Sequence, residues 1–61
     1  MVDLKDARFN CDRMSQQKLA ELSGVSRVTI SNIENGRHEL NIETARKIAT
    51  VLGINWTEFF E

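Results

Sequence analysis

Residues 14–36 read MSQQKLAELSGVSRVTISNIENG, in which two short patterns of helical period flank a glycine. Ser15 is a good N-cap for the first pattern, where Leu19 and Leu22 share the predicted inward face. Gly24 ends that pattern, because glycine adopts a left-handed backbone at no steric cost. The stretch therefore predicts two helices joined by a tight turn.

The second helix of this stretch, residues 27–35, has an unusual outward face. Ile30 and Ile33 fall together on the inward side of the helical wheel. The outward side carries one cation, two amides, a hydroxyl and an apolar side chain: Arg27, Val28, Ser31, Asn32 and Asn35. An ordinary solvated face also carries polar residues, but the valine and the absence of any carboxylate favour a binding face.

Working outward, three further helices are predicted. The first covers residues 4–11, and the fourth follows the N-cap Asn41. The fourth helix carries a predicted buried stripe at spacings of three and four: Ile42, Ala45, Ile48, Ala49 and Leu52. A short fifth helix is predicted where Asn55 and Glu58 have the spacing of a capping box. The sequence thus predicts a single all-α domain of five helices over residues 1–61, with a helix-turn-helix at helices 2 and 3.

Composition excludes several classes of protein. A chain of 61 residues holds one small domain at most. With one cysteine, Cys11, and one histidine, His38, it has neither an internal disulfide nor a four-ligand zinc site. We expect no cofactor, no metal, no small-molecule effector and no enzyme, since nucleophile, base and phosphate-binding glycine loop do not occur together. No apolar run spans a membrane and no signal peptide is evident, so we expect a cytoplasmic protein.

Charge is arranged against the helix dipole at two places. The net charge is -1, but residues 13–38 hold four cations and two acids, a net of +2, between acidic flanks. Lys18 lies in the first turn of the second helix and Arg27 opens the third. The positive end of a helix disfavours a cation by a few tenths to about 1 kcal/mol. A phosphate bound at these two helix starts would reverse the sign of that effect.

In order, the motifs of residues 14–36 resemble the helix-turn-helix of the phage-repressor and Cro-like (XRE) family of DNA-binding proteins. Residues 42–52 resemble the fourth helix of that family and residues 55–60 its fifth, so the resemblance covers nearly the whole chain. Family members often have a proline where this chain has Leu40. They often have a glycine where this chain has Asp12-Arg13, in a loop that is also one residue longer here.

The resemblance implies a recognition helix, residues 27–35, that lies in the major groove of DNA while the preceding helix crosses the backbone. Arg27 suits guanine, Asn32 suits adenine and Val28 suits the thymine methyl group. The implied base contacts are Arg27, Val28, Ser31 and Asn32. The implied phosphate contacts are Gln16, Gln17, Lys18, Ser26, Thr29, Asn35, Gly36 and Arg37.

Two structural roles also follow from the resemblance. Gln16 matches the family position that holds a phosphate and braces the first side chain of the recognition helix. The acid at Glu34 matches a position that commonly pairs with an arginine of the first helix, which implies an Arg8–Glu34 ion pair.

The function implied is a transcriptional regulator, a repressor that binds a palindromic operator in double-stranded DNA as a homodimer. The aromatic residues Trp56, Phe59 and Phe60 either cap the core, as we expect of at least two of them, or form the dimer interface. The alternative is a protein-interaction or antitoxin-like module that uses the same fold, with this C-terminal aromatic patch as the surface for a protein partner.

Overall fold

Four α-helices and one short 3-10 helix form the computed structural model, which describes residues 2–61. The α-helices are α1 (Leu4–Asn10), α2 (Gln16–Ser23), α3 (Arg27–Glu34) and α4 (Ile42–Leu52). The predicted fifth helix is instead a single 3-10 turn, Trp56–Phe59. The prediction of five helices is therefore corrected to four, and no strand occurs in the described part of the chain.

The 3-10 turn keeps the predicted cap although it is not an α-helix. Asn55 and Glu58 form a capping box in which each side chain accepts a bond from the other end of the turn. The backbone bonds that follow run from Glu58 to Asn55 and from Phe60 to Thr57, three residues back. A segment of four residues gains no bond from widening to an α-helix, whose ladder needs a spacing of four.

Side-chain caps and glycines set the limits of the helices that surround the central turn. Ser15 Oγ accepts a bond of 3.0 Å from the backbone N–H of Lys18, and Ser26 Oγ accepts one of 3.2 Å from that of Val28. Gly24 ends α2 with a φ of 75°, in the left-handed region that the sequence predicts. These contacts fix the corner between α2 and α3.

The core lies where α2 packs against α3 and α4, with α1 against α3 and the 3-10 turn against α4. Its fully buried side chains of largest volume are Leu19, Ile30 and Ile48, one each from α2, α3 and α4. Val25 fills the corner after α2, as its position predicts. Because α3 faces the core through Ile30, its opposite side is left to solvent.

Two residues predicted to face inward lie at the surface. Leu22 is 52% exposed and Ile42 is 54% exposed, although both fall on the apolar side of their helices. Leu22 sits in the last turn of α2 and Ile42 is the first residue of α4. A helix end projects beyond the elements that cover its middle, so the predicted stripes are correct for the middle of each helix and wrong at these ends.

The loop between α1 and α2 contains two consecutive left-handed residues, Asp12 at φ 57° and Arg13 at φ 53°. Left-handed backbone costs a residue with a Cβ roughly 1–2 kcal/mol. The backbone N–H of Arg13 donates to the carbonyl of Phe9 at 2.9 Å, and that of Met14 donates to the carbonyl of Cys11 at 3.2 Å. This loop is where the sequence departs from the glycine that the family often has.

The first described residue is hydrogen-bonded to the 3-10 turn near the end of the chain. The backbone N–H of Val2 donates to the carbonyl of Glu58 at 2.9 Å. Beside this contact lies an open hollow of about 250 Å³ between α1 and the end of α4, partly lined by Cys11. Cys11 is half-buried against the core, and His38 is exposed in the loop before α4. Among the described residues no helix is long and apolar enough to cross a membrane.

Candidate nucleic-acid interface

The outward face of α3 presents the four side chains predicted to contact bases. Arg27 and Val28 are exposed, Val28 by 63%, while Ser31 and Asn32 are half-buried. They occupy positions one and four residues apart, so they follow one side of the helix for its first two turns. The structure therefore brings all four onto one accessible face of α3.

The residues predicted to contact phosphates lie around this face in two groups. One group, at the start of α2, is formed by half-buried Gln16 with exposed Gln17 and Lys18. Gln17 Nε2 donates to Glu21 Oε2 at 3.2 Å, so its amide already has an internal partner. The second group flanks or belongs to α3 and consists of Ser26, Thr29, Asn35, Gly36 and Arg37, all exposed except Thr29, which is half-buried.

Gln16 has a different partner from the one predicted. Its Nε2 donates to Glu34 Oε1 at 3.1 Å, at the last residue of α3, whereas the resemblance implies a brace to the first residue, Arg27. The buried carboxylate of Glu34 is a strong acceptor for the amide N–H of Gln16, whereas arginine only donates, so a brace to Arg27 would use the Gln16 carbonyl oxygen instead.

Arg8 and Glu34 form the ion pair that the resemblance implies. Arg8 Nε lies 2.8 Å from Glu34 Oε2 and Arg8 Nη2 lies 3.0 Å from Glu34 Oε1, a two-pronged contact. Both side chains are less than a tenth exposed. The third guanidinium nitrogen, Nη1, donates to the carbonyl of Met14 at 2.6 Å. The pair thus ties α1 to the end of α3 and to the start of α2.

Two opposing effects set the pKa of Glu34. Burial alone would raise it, but the hydrogen bonds from Arg8 and Gln16, with the charges of Arg8 and Lys5, outweigh burial and leave the pKa below its ordinary value. Glu34 is therefore a carboxylate at neutral pH, and remains an acceptor for both of its partners.

The three C-terminal aromatic residues divide between core and surface. Phe59 is buried in the core and Trp56 packs against it half-buried, so two of the three cap the core. Phe60 is 45% exposed and meets the Trp56 ring edge-on, with ring centroids 6.1 Å apart. The Trp56 ring also contacts Arg46, whose guanidinium carbon lies 5.2 Å from the ring centroid. Phe60 is the aromatic side chain of this group that remains available to a partner.

Sequence reasoning missed two contacts around the ion pair. Gln16 and Glu34 are 18 positions apart, and no periodicity links residues on different helices. Phe9 is 50% exposed on α1, yet its ring lies 4.9 Å from the Arg8 guanidinium carbon and 5.9 Å from Lys5 Nζ. The spacing of Lys5 and Phe9, four residues on a helix, is the one signal that could have indicated part of it.

Charge on α3 is uncompensated at its N-terminus. Within residues 2–61 the ion pairs are Arg8–Glu34 and Lys47–Glu43, the latter at 3.6 Å on exposed α4. Arg27 has no acidic partner among these residues. The first turns of α2 and α3 contain no acid, whereas that of α4 contains Glu43. No group of three potential metal ligands occurs in the described chain.

The residues of this interface all lie in a region that matches a known protein family. A family model described as Helix-turn-helix matches residues 13–59, which include α2, α3, α4 and the 3-10 turn. The chain belongs to the XRE-type helix-turn-helix family of DNA-binding proteins. The α2–Gly24–α3 unit is the helix-turn-helix, and α3 is its second helix.

Two relatives illustrate the membership. The HTH-type transcriptional regulator PuuR of Escherichia coli (strain K12) is 40% identical over 47 residues, which are 77% of this chain and 25% of PuuR. The uncharacterized HTH-type transcriptional regulator YqaF of Bacillus subtilis (strain 168) is 34% identical over 47 residues, 77% of this chain and 62% of YqaF. The chain therefore spans a quarter of one relative and under two thirds of the other. No solved structure gives a significant match.

Proposed function

We propose that this helix-turn-helix domain binds double-stranded DNA sequence-specifically and acts as a transcriptional regulator, with α3 in the major groove. The observation that carries the proposal is the face of α3 formed by Arg27, Val28, Ser31 and Asn32. It is accessible, free of acids and set at a helix start whose positive dipole lies beside an unpaired arginine. Both relatives are named as transcriptional regulators, which supports the same function.

Sequence would be read by three kinds of contact on this face. The Arg27 guanidinium donates two parallel bonds to guanine O6 and N7, and the Asn32 amide forms two bonds with adenine N6 and N7. Val28 is the most exposed large apolar side chain among residues 2–61, and its methyl groups suit the methyl group of thymine. Ser31 hydrogen-bonds to a neighbouring base edge.

The DNA backbone would be held on both sides of the groove. At the start of α2, Gln16, Gln17 and Lys18 face one strand, together with the free backbone N–H groups of the first helical turn. Around α3, the hydroxyls of Ser26 and Thr29 and the polar groups of Asn35, Gly36 and Arg37 face phosphates. These contacts set the register in which α3 meets the bases.

We further propose that the protein is a repressor that binds a palindromic operator as a homodimer. Two equivalent recognition helices then meet successive major grooves roughly 34 Å apart. The domain measures 26 × 24 × 18 Å, a size that fits one half-site. Exposed Phe60, next to Trp56, supports a contact between subunits at the C-terminal end, since an exposed aromatic on a small domain is typical of an interface.

Selection from a random duplex library tests the proposal, followed by binding of wild type, Arg27→Ala and Asn32→Ala to the enriched duplex and to a scrambled one. We expect a palindrome, and each variant should lose preference at one base position in each half-site. A bidentate contact discriminates by about 1–3 kcal/mol, or about 5- to 150-fold. Lys47→Ala is the charge-matched control, because Lys47 is an exposed cation on α4.

A different result would favour the second candidate function, a protein-interaction module. If no sequence is enriched and the α3 variants bind scrambled duplex as wild type does, specific readout by α3 is wrong. Phe60→Ser then tests the C-terminal surface, since Phe60 is exposed whereas Phe59 is needed in the core. Loss of partner binding in Phe60→Ser, with none in Arg27→Ala, would support that module.

A further inference from the structure

A buried polar network joins the first three helices at one carboxylate. Glu34, at the end of α3, accepts both the two-pronged bond from Arg8 of α1 and a bond from Gln16 of α2. Arg8 also donates to the carbonyl of Met14, just before α2. Every buried side-chain nitrogen and oxygen of the described residues has a hydrogen-bond partner. The network is complete within the domain, so it acts as one rigid unit.

The chemistry of the carboxylate fixes the orientation of the Gln16 amide. An ionised carboxylate only accepts hydrogen bonds, so the NH₂ group of Gln16, and not its carbonyl, must face Glu34. One of the two Nε2 protons goes to Glu34 Oε1 at 3.1 Å. The other proton stays available at the first residue of α2, beside the backbone N–H groups that open that helix.

The surroundings of the pair keep this orientation in place. Arg8 is 6% exposed, and the ring of Phe9 lies 4.9 Å from its guanidinium carbon. The Glu34 side chain is 4% exposed. Water therefore does not compete strongly for the carboxylate, and the lowered pKa keeps it ionised at neutral pH.

We propose that Glu34 is a positioning residue for DNA binding, which holds the Gln16 amide so that its second N–H reaches a backbone phosphate. This inference rests on the proposed function above. The same carboxylate ends α3 and orients the first side chain of α2, so the phosphate contact of α2 and the base contacts of α3 are held at one spacing. Glu34 itself contacts no DNA.

The test compares wild type, Gln16→Met and Glu34→Asp on the enriched duplex, with one methylphosphonate placed in turn at each backbone position of a half-site. Aspartate keeps the charge opposite Arg8 but is one methylene too short to reach both Arg8 and Gln16. In wild type, one position should weaken binding by about 2- to 10-fold through loss of the Gln16 hydrogen bond. Gln16→Met should be insensitive at that position and sensitive elsewhere.

Glu34→Asp decides the matter. If Glu34 positions Gln16, this variant becomes insensitive at the same phosphate although Gln16 is intact. If it weakens binding uniformly and stays sensitive there, Glu34 is structural only and the inference is overturned. Arg8→Lys, which keeps the charge but cannot hold both carboxylate oxygens, is the second variant, with the same expectation, should Glu34→Asp fail to fold.

A measurement on the free protein separates this inference from the proposed function. The side-chain amide protons of Gln16, followed by NMR, should shift with the titration of Glu34 in wild type and not in Arg8→Met/Glu34→Met, which has no carboxylate at position 34. If wild type binds DNA but these protons ignore the titration, the inference alone is overturned. If wild type binds no duplex, the proposed function is overturned and the inference falls with it.

Discussion

Both ends of α3 carry a charge that the helix dipole disfavours, but only one of these charges has a partner inside the domain. Arg27 places a cation at the positive end of the helix dipole, and Glu34 places an anion at the negative end. Glu34 is buried and neutralised by Arg8, whereas Arg27 is exposed without an acidic partner among residues 2–61. The charge of Glu34, at the C-terminal end, is compensated inside the domain by Arg8. The charge at the other end has no acidic partner among the described residues, and the proposed function gives it one in the acceptor groups of DNA.

The first turn of α4 shows that this arrangement is a property of α3 and not of the whole fold. There Glu43 lies at the positive end of the dipole, four residues before Lys47, with which it pairs. α4 also buries four side chains, Ala45, Ile48, Ala49 and Leu52, where α3 buries Ile30. α4 follows the rules for a stabilising helix, and α3 departs from them on the side that faces solvent.

Removal of Glu34 should produce the largest loss of stability, because it breaks the Arg8–Glu34 ion pair at the C-terminal end of α3. Glu34→Met leaves the Arg8 guanidinium buried without a carboxylate, which costs about 3–5 kcal/mol. Folded domains have about 0.05–0.15 kcal/mol of stability per residue, so most of the stability of this one would be lost. Urea unfolding followed by circular dichroism measures it. The double variant Arg8→Met/Glu34→Met should recover most of the loss, and a single variant within 1 kcal/mol of wild type would show that the pair does not hold α3.

Acid should gradually weaken the Arg8–Glu34 pair, because Glu34 becomes protonated. The pKa of Glu34 in the folded domain lies below its ordinary value of 4.5, because the bonds from Arg8 and Gln16 outweigh burial. Its contribution to stability is therefore present in full above pH 4.5 and is lost as the pH falls through the folded value. We expect the urea midpoint of wild type to fall more steeply below that pH than the midpoint of Arg8→Met/Glu34→Met. Parallel curves for the two proteins would contradict the assignment to Glu34.

Reversal of the charge at Arg27, the first residue of α3, should change stability less than removal of Glu34 does, and should raise it. Arg27→Glu replaces an unfavourable charge by a favourable one, so it should raise the free energy of unfolding by about 0.3–1 kcal/mol while it abolishes specific DNA binding. Glu43→Lys, at the start of α4, is the matched control and should lower stability by a similar amount with DNA contacts intact. If Arg27→Glu destabilises the domain, Arg27 has a structural role that the comparison of the two ends omits.

Added salt should change stability least. Its effect should differ between the two ends of α3, because Arg27 is exposed and Glu34 is buried. At 0.1 M salt, interactions between exposed charges are largely screened beyond a separation of about 10 Å, and more salt shortens that distance, whereas a buried pair is screened much less. The stability gap between wild type and Arg27→Glu should therefore narrow as salt is raised, while the gap between wild type and Glu34→Met stays nearly constant. Thermal unfolding over a salt series measures both. Equal narrowing would mean that the Arg8–Glu34 pair is open to solvent.

Local chemistry made most of the fold predictable. Ser15, Gly24 and Ser26 act within a few residues, and their roles in the structure are those that the sequence indicates. The wheel of α3 identified the accessible face through the burial of Ile30 on the other side. The chemistry of capping and of left-handed backbone is intrinsic to a short segment, so a single sequence is enough to show it.

The errors arose where a neighbour decides the outcome. Leu22 and Ile42 fall on apolar faces, but their exposure depends on how far the adjacent helices extend. The partner of Gln16 depends on the approach of α3 to α2 and on the desolvated carboxylate of Glu34, which only the tertiary structure creates. The short C-terminal segment forms a 3-10 turn because its length and packing, not its cap, limit it. The DNA contacts themselves remain predictions.

The bond between Val2 and Glu58 makes the chain nearly a closed ring. The first described residue and the 3-10 turn that precedes the last residues therefore lie at one corner of the domain. Ends this close can also be joined to each other and the chain reopened elsewhere, a rearrangement that folded domains commonly tolerate. A circular permutant opened in the exposed loop around His38 would keep α1 to α3 in one continuous segment.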